Sequence, residues 1–289
     1  MKKAVLFVNH LKKNANELAE KIKTDLKKYD FDAVIFLFKG KPLEPPVDKW
    51  DIAFSLGGDG TVLFTARTLA PLGVPILPVN LGSLGFLAEV GSSDWLDIFL
   101  KWCNGSITLS HRCMFEVIVE RNSAVAAENI CLNDAVVSYT GRAKLIKLNV
   151  QITSSPSVPV IESSLVVLGS YRCDGLIIST PTGSTAYSMA AGGPILDPEM
   201  EAVIINPICP FTHSNRAFVL PSRQTVVINV AEDQRSRVLL TIDGQDTLDL
   251  ENGDKIIIKQ APYFTNLIFP NRHAYYSALR KKLFSPGDS

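Results

Sequence analysis

A glycine-rich turn with an acid at its centre, Gly57-Gly58-Asp59-Gly60-Thr61, constrains the fold of this chain most strongly. The apolar run 51–56 precedes it and the helix-like run 62–69 follows it, which predicts a strand, a turn and a helix. Glycines let a backbone come close to a ligand, and the N-terminus of a helix favours negative charge such as phosphate. A negatively charged carboxylate is therefore unexpected at this position. Asp59 either caps the helix, or it serves a metal ion or a proton transfer.

The chain before about residue 106 alternates apolar runs with helical patterns, which predicts a parallel sheet built from βαβ units. In the helix 14–28, apolar Leu18, Ile22 and Leu26 recur every four residues. A second helix is predicted at 94–102, with Ser92 or Ser93 as its cap. The predicted strands are 4–9, 33–38, 52–56 and 75–79.

After about residue 106, short β-branched runs broken by turn residues predict an antiparallel β domain. The tail 272–283 is helical again, and we expect it to pack on the first domain. The predicted fold class is α/β plus all-β: a Rossmann-like parallel-sheet domain (1–105 plus 270–289) and an antiparallel β domain (106–269), with a ligand cleft between them. The strands predicted in the second domain are 115–120, 135–138, 145–152, 164–168, 225–230, 238–242 and 255–259.

Charge indicates which classes of partner to expect, and cysteine content indicates the cellular compartment. Lys plus Arg and Asp plus Glu both total 29, so no overall basic field attracts nucleic acid or an anionic membrane, and neither is an expected partner. No apolar stretch approaches the roughly 20 residues that span a bilayer, and the opening apolar run is too short for a secretory signal. Five scattered cysteines without a Cys-x-x-Cys pair indicate reduced thiols, so a cytoplasmic protein is expected.

Three further stretches place polar residues and glycines in apolar surroundings. The sequence NLGSLGFL (80–87) directly follows a predicted parallel strand, where ligands of open α/β sheets bind, which indicates either a ligand-binding loop or a packed loop. Asn133-Asp134 interrupts a strand-like run, which indicates either a turn or bulge, or a pair of acceptors for ligand hydroxyls or amides. In residues 174–194, a strand that begins at Asp174 leads into a hydroxyl-rich glycine loop and a small-residue helix. Hydroxyls and free backbone N–H groups at the start of a helix suit phosphate and sugar oxygens.

These motifs, with PICP, DGQ and the closing YYSALRKKLF, stand in the order found in the NAD kinase family, which the chain resembles over most of its length. A GGDG motif alone is shared with diacylglycerol and sphingosine kinases and with 6-phosphofructokinases, whereas the later loops point to NAD. The resemblance implies Mg²⁺-dependent phosphoryl transfer from ATP or inorganic polyphosphate to the adenosine ribose 2′-hydroxyl of NAD, giving NADP. The alternatives are a non-catalytic NAD or NADP sensor, which would need a damaged phosphate loop, and a lipid kinase, which would need an apolar or basic membrane-facing patch.

The resemblance also implies roles for individual residues. Asp59 would act as general base, or as organiser of the 2′-hydroxyl and the metal. No dedicated metal site is expected, because Mg²⁺ would arrive on the donor phosphates and lie near Asp59. The donor phosphates would be held by Gly57, Gly58, Gly60 and Thr61. The implied NAD-binding residues are Asp59, Gly60, Asn133, Asp134, Lys144, Arg172, Asp174, Thr185, Ala186, Tyr187, Ser188, Ala190 and Gln245.

The chain departs from the family pattern at two places. Asp134 stands where the family has Glu, which keeps the charge but draws the carboxylate back by one methylene. Phe211 follows PICP where many members carry His, and no role is transferred to His213, two residues later. The resemblance further implies a homodimer or homotetramer.

Overall fold

Two compact units make up the chain. Unit 1 takes Met1–His111 and Phe264–Ser289, and unit 2 takes Arg112–Tyr263. The structure is a computed structural model and describes residues 1–38, 49–82, 85–141, 145–153, 164–212, 216–269 and 272–284. None of the helices in these ranges is both long enough and apolar enough to cross a membrane.

The elements are numbered in chain order. The strands are β1 (Lys2–Asn9), β2 (Phe31–Phe38), β3 (Ile52–Gly57), β4 (Ile76–Asn80), β5 (Val90–Gly91), β6 (Leu109–Arg121), β7 (Ala124–Cys131), β8 (Asp134–Thr140), β9 (Ile146–Thr153), β10 (Leu165–Cys173), β11 (Gly175–Ser179), β12 (Ala202–Ile208), β13 (Phe218–Pro221), β14 (Val226–Val230), β15 (Arg237–Ile242), β16 (Asp246–Leu250) and β17 (Lys255–Ile268). The helices are α1 (Ala15–Leu26), α2 (Asp59–Leu69), α3 (Trp95–Cys103), α4 (Tyr187–Ala190) and α5 (Arg272–Phe284).

Unit 1 is built on a parallel sheet in the order β5-β4-β3-β1-β2. The centre of β1, residues 4–8, is completely buried, as expected of a parallel strand covered on both faces. Ile22 and Leu26 of α1 pack in the same apolar cluster as Phe99 of α3. The predicted parallel-sheet domain is confirmed. Because parallel strands end at one edge, Gly57 pairs with Asn80, which brings the two glycine motifs together.

Unit 2 is antiparallel. One of its sheets runs β13-β12-β11-β8-β15-β16, so that β8 lies between β11 and β15. Strands β9, β10 and β14 pair in a second sheet, where β14 also pairs with β17. Buried residues from both sheets, such as Val226 and Leu240, form one hydrophobic cluster. The predicted antiparallel β domain is confirmed.

The C-terminal helix belongs to unit 1, which confirms that part of the predicted fold. The ring of Tyr275 on α5 lies against Phe86, with 6.4 Å between the ring centroids. The ammonium group of Lys282 lies 4.0 Å from the centre of the same Phe86 ring. An apolar contact and a cation–π contact thus join this helix to the loop after β4.

One local prediction was wrong. Asp94 rather than Ser92 or Ser93 precedes α3, and the Ser93 hydroxyl donates to the Asp94 carboxylate (2.8 Å) instead of capping the helix. The predicted small-residue helix after the glycine loop is present as the single turn α4, which follows a 3₁₀ turn at Thr182–Thr185. Gly192, with φ of 78°, adopts a left-handed conformation soon after α4 ends.

Candidate active site

The carboxylate of Asp59 is bound by the backbone of its own unit. Asp59 is the first residue of α2, and its side chain does not cap that helix. One oxygen, Oδ2, accepts the N–H of Phe86 (2.9 Å). The other, Oδ1, accepts the N–H groups of Leu87 (3.1 Å) and Ala88 (2.9 Å). The prediction that Asp59 caps the helix is therefore wrong. The alternative, a role toward a metal ion or in a proton transfer, stays a prediction.

The loop that receives Asp59 is shaped by Gly85 and Asn80. A Cβ on Gly85 would lie 1.8 Å from Oδ1 of Asp59, so only glycine allows the carboxylate to come this close. The Asn80 amide donates to the carbonyl of Ala88 (3.0 Å) and accepts the N–H of Gly82 (2.7 Å). Both residues belong to NLGSLGFL, but their positioning of Asp59 was missed from sequence; Ser83 and Leu84 lie outside the described residues.

The glycines of the turn differ in their surroundings. A Cβ on Gly57 would lie 2.0 Å from the Thr61 hydroxyl, so the absence of a side chain there is a packing requirement. A Cβ on Gly58 would meet no described atom within 4 Å, and Gly60 is exposed. Gly58 thus borders open space that a ligand can enter. Asn80 also helps to line a cavity of about 490 Å³ in unit 1, where the two positive charges of Lys13 and Lys21 outnumber the negative charge of Glu17.

A second cavity, in unit 2, brings together four of the predicted NAD-binding residues. Asn133, Asp134, Ala186 and Tyr187 line a space of about 320 Å³. The Tyr187 side chain is 49% exposed, whereas Asp134 is only 4% exposed. A carboxyl group and an amide therefore lie in one pocket with an aromatic ring, a combination that suits a ligand with both hydroxyls and a flat ring.

A second carboxylate lies beside Asp134. Asp243 is 7% exposed and lines the same cavity. Burial, with the like charge of Asp243 as the second cause, raises the pKa of Asp134 to about 7. Asp243 is not among the residues predicted from sequence, although another residue of the same DGQ motif, Gln245, is.

The remaining predicted residues lie in varied surroundings. Thr185 and Ser188 are buried, with the Thr185 hydroxyl donating to the carbonyl of Thr182 (3.3 Å) and the Ser188 hydroxyl accepting from the Asn206 amide (3.3 Å). The Arg172 guanidinium lies 5.1 Å from the centre of the Phe211 ring. Asp174 is half-buried, Ala190 and Gln245 are exposed, and Lys144 and His213 lie outside the described residues.

The capacity of these residues for a metal is limited. No three His, Cys, Asp or Glu side chains cluster at metal-binding distance in the described ranges. A carboxylate offers about four lone-pair sites, and three N–H groups occupy Asp59, which leaves about one. This residue set fits a Mg²⁺ ion that is bound mainly by substrate phosphates and by one carboxylate.

Comparison with known proteins gives consistent results. Residues 7–104 match the ATP-NAD kinase N-terminal domain family, and residues 132–269 match the ATP-NAD kinase C-terminal domain family. The chain is 38% identical to the NAD kinase of Treponema denticola over 290 residues, which cover 100% of the chain and 98% of that protein. It is also 38% identical to the NAD kinase of Geobacter sulfurreducens over 233 residues, 81% of the chain and 78% of that protein.

Two solved structures share the fold. The yeast NADH kinase complexed with NADH matches with a TM-score of 0.84 at 22% identity, covering 100% of this chain and 89% of that one. An NAD kinase from Archaeoglobus fulgidus in complex with ATP matches with a TM-score of 0.72 at 22% identity, covering 97% of this chain and 98% of that one.

Proposed function

Because the chain belongs to the NAD kinase family, we propose that it phosphorylates NAD through Asp59, Asn133 and Asp134. The chain is an enzyme that phosphorylates NAD, and its match to the ATP-NAD kinase domain families supports ATP as the donor. The family resemblance supports the ribose 2′-hydroxyl of the adenosine half as the group that is phosphorylated. The sensor and lipid-kinase alternatives receive no support from the site.

The single observation that carries the catalytic proposal is the binding of Asp59 by three backbone N–H groups. These contacts fix the carboxylate and leave about one acceptor site, which would contact the 2′-hydroxyl. Asp59 would hold that hydroxyl in line with the donor, or take its proton as the bond to phosphorus forms. Positioning of this kind is the main contribution that a protein makes to phosphoryl transfer.

A Mg²⁺ ion would be held mainly by the phosphates of the donor. Asp59 would contact the ion only as the alternative to the 2′-hydroxyl, because about one acceptor site remains on its carboxylate. The ion would neutralise charge on the transferred phosphoryl group. Gly58 and Gly60 would let the donor phosphates approach the backbone, since Gly58 borders open space. The lysines of the 490 Å³ cavity, Lys13 and Lys21, offer charge that suits the rest of an anionic donor.

NAD recognition would depend on the 320 Å³ cavity of unit 2. The Asn133 amide both donates and accepts, so it can pair with sugar hydroxyls or with an amide. Asp134 would accept from a hydroxyl when ionised and donate when protonated. Ala186 and Tyr187 would provide the wall against which a flat ring packs.

We further propose a homodimer or homotetramer in the cytoplasm. The family resemblance supports assembly, and all five cysteines are free, which suits a reducing compartment. The donor would be ATP, with inorganic polyphosphate as the alternative that presents a similar phosphate chain.

The test is a coupled assay with NAD, ATP and Mg²⁺, in which an NADP-specific dehydrogenase reports NADP. Asp59→Asn should lower kcat by about 10²–10⁴-fold with little change in the KM for NAD. Asn133→Ala should raise the KM for NAD with a smaller change in kcat. Asp249→Asn, an exposed acid on β16, is the matched control and should match the wild type.

Gly85→Ala tests whether the position of the Asp59 carboxylate matters as well as its charge. The added Cβ would displace this carboxylate without removing it. It should also lower kcat. Near-normal turnover of Asp59→Asn would refute the catalytic assignment, and an unchanged KM for NAD in Asn133→Ala would refute the NAD site.

A further inference from the structure

We infer that Asp243 and Thr180 are positioning residues that hold the backbone of residues 132–134, here called the 132–134 corner, so that Asn133 and Asp134 meet NAD in a fixed geometry. The inference rests on the proposed function, in which those two side chains bind NAD. Neither Asp243 nor Thr180 is among the binding residues predicted from sequence, and neither needs to contact the dinucleotide to act in this way.

Asp243 binds the N–H side of the corner. Its Oδ2 accepts the N–H of Leu132 (3.0 Å). Its Oδ1 accepts the N–H groups of Asn133 (2.7 Å) and Asp134 (3.1 Å). One buried carboxylate thus gathers three consecutive amides, and hydrogen bonds to a charged acceptor are stronger than those between neutral groups.

The carbonyl side of the corner is bound from the neighbouring strand. The Thr180 hydroxyl donates to the carbonyl of Leu132 (2.5 Å), and the Thr180 N–H donates to the carbonyl of Asn133 (2.9 Å). The N–H of Asp243 donates to the carbonyl of Asp134 (2.9 Å). Every backbone N–H and C=O of residues 132–134 is therefore paired within the protein, and the side chains of Asn133 and Asp134 remain available for a ligand.

The topology of unit 2 explains why these residues meet. Strand β8 is antiparallel to both β11 and β15, so the start of β8 lies where those two strands end. Ser179 pairs with Asp134, and Thr180 follows Ser179 directly. Asp243 follows β15 and has φ of 50°, a left-handed conformation that Asp and Asn tolerate better than most residues.

The loop after Thr180 also packs on the corner. The N–H of Gly183 donates to the Thr180 hydroxyl (3.1 Å), so this hydroxyl pairs two backbone groups at once. A Cβ on Gly183 would lie 2.1 Å from the carbonyl oxygen of Asn133. Loss of the Thr180 hydroxyl would leave two buried backbone groups unpaired and would loosen the corner.

The test compares Thr180→Val, which removes the hydroxyl at nearly constant shape, with Thr180→Ser, which keeps it. Thr180→Val should raise the KM for NAD about tenfold with a smaller change in kcat and none in the KM for ATP. Thr180→Ser should restore the KM for NAD to within about twofold of the wild type. Asp249→Asn serves again as the control.

Asp243→Asn tests the corner from its other side and keeps both the shape and the tolerance of a left-handed backbone. Its amide group would face an N–H that the carboxylate now accepts, so the KM for NAD should again rise selectively. This variant decides the question if Thr180→Val does not fold, as judged by circular dichroism and melting temperature.

Two results would overturn the inference: an unchanged KM for NAD in a folded Thr180→Val or Asp243→Asn, or an equal rise in the KM values for NAD and ATP that Thr180→Ser does not reverse. Asn133→Ala distinguishes this failure from failure of the NAD site itself. If Asn133→Ala raises the KM for NAD and Thr180→Val does not, the positioning role alone is wrong.

Discussion

At the scale of single residues, the environment gives two aspartates of this enzyme different properties. Asp59 is half-buried and accepts three backbone N–H groups, so its carboxylate is held in one place. Asp134 is buried beside Asp243, and burial raises its pKa to about 7. At neutral pH Asp134 therefore titrates, and it can act as either a hydrogen-bond donor or an acceptor.

The raised pKa of Asp134 makes stability depend on pH. Between pH 3.8 and about 7 the folded chain keeps a proton that the unfolded chain has released, so stability falls as pH rises through this window. Asp134→Asn removes this penalty. Relative to the wild type, the variant should gain about 3 kcal/mol more at pH 8 than at pH 5, measured by urea unfolding. An equal difference at both pH values would contradict the assignment.

At the scale of elements, an arginine joins strand β6 to the segment between β16 and β17. Arg121 donates from Nε and Nη2 to the two oxygens of Asp254 (2.9 and 2.7 Å), and from Nη1 to Glu251 (2.7 Å). The Asp254 side chain is 1% exposed and also accepts the N–H of Glu251. This buried carboxylate therefore depends on a strand far away in sequence.

Arg121→Met should destabilise unit 2, because it leaves the Asp254 carboxylate buried without its cation. A cost of about 2 kcal/mol is expected, below the usual range for a buried pair because Arg121 is partly exposed. Lys101→Met breaks an exposed pair with Asp97 on α3 and should change stability by less than about 0.5 kcal/mol. Urea unfolding compares the two, and equal losses would refute the argument.

Elements differ in how well the sequence predicts them. Buried parallel strands are continuous apolar runs, so β1 and β3 were predicted to within two residues at either end. Strand β7 (AVAAENIC) was missed because its alanines and polar residues have weak β-propensity, and it forms by pairing with β6. Strand β12 contains Pro207, which lies beyond the residues that pair with β13, so a missing N–H is tolerated.

The predicted and the missed residues of the site differ in whether a local sequence pattern marks them. Asn133 and Asp134 are noticeable because polar residues interrupt an apolar run. Asp243 binds amides 109 to 111 residues earlier in the chain, and that pairing follows from which strand ends meet rather than from any local pattern. The Asp59 contacts likewise depend on the parallel alignment of β3 with β4.

At the scale of the whole molecule, the five cysteines differ in how far the fold shields their thiols from solvent. Cys113, Cys131 and Cys173 are buried, whereas Cys103 and Cys209 are exposed. Burial raises the pKa of the Cys113 and Cys173 thiols to about 12, which suppresses the reactive thiolate.

A chromogenic thiol reagent should therefore modify two thiols of the native enzyme rapidly and all five in denaturant. The three buried thiols, which all lie in unit 2, should react slowly in the native enzyme, at the rate at which unit 2 opens. Five rapid equivalents under native conditions would contradict this picture. Reductant should leave the melting temperature unchanged, because no cysteine is in a disulfide.

The complete pairing of backbone groups in the 132–134 corner has a consequence for how this enzyme can change over evolutionary time. Because the frame is built from main-chain groups and from residues elsewhere, the side chains at 133 and 134 can be exchanged without rebuilding it. The Asp at 134, where the family resemblance implies Glu, then changes only how far the carboxylate reaches and leaves this frame as it is. A laboratory effort to shift the enzyme toward other dinucleotides should randomise these two positions and keep Thr180 and Asp243 constant.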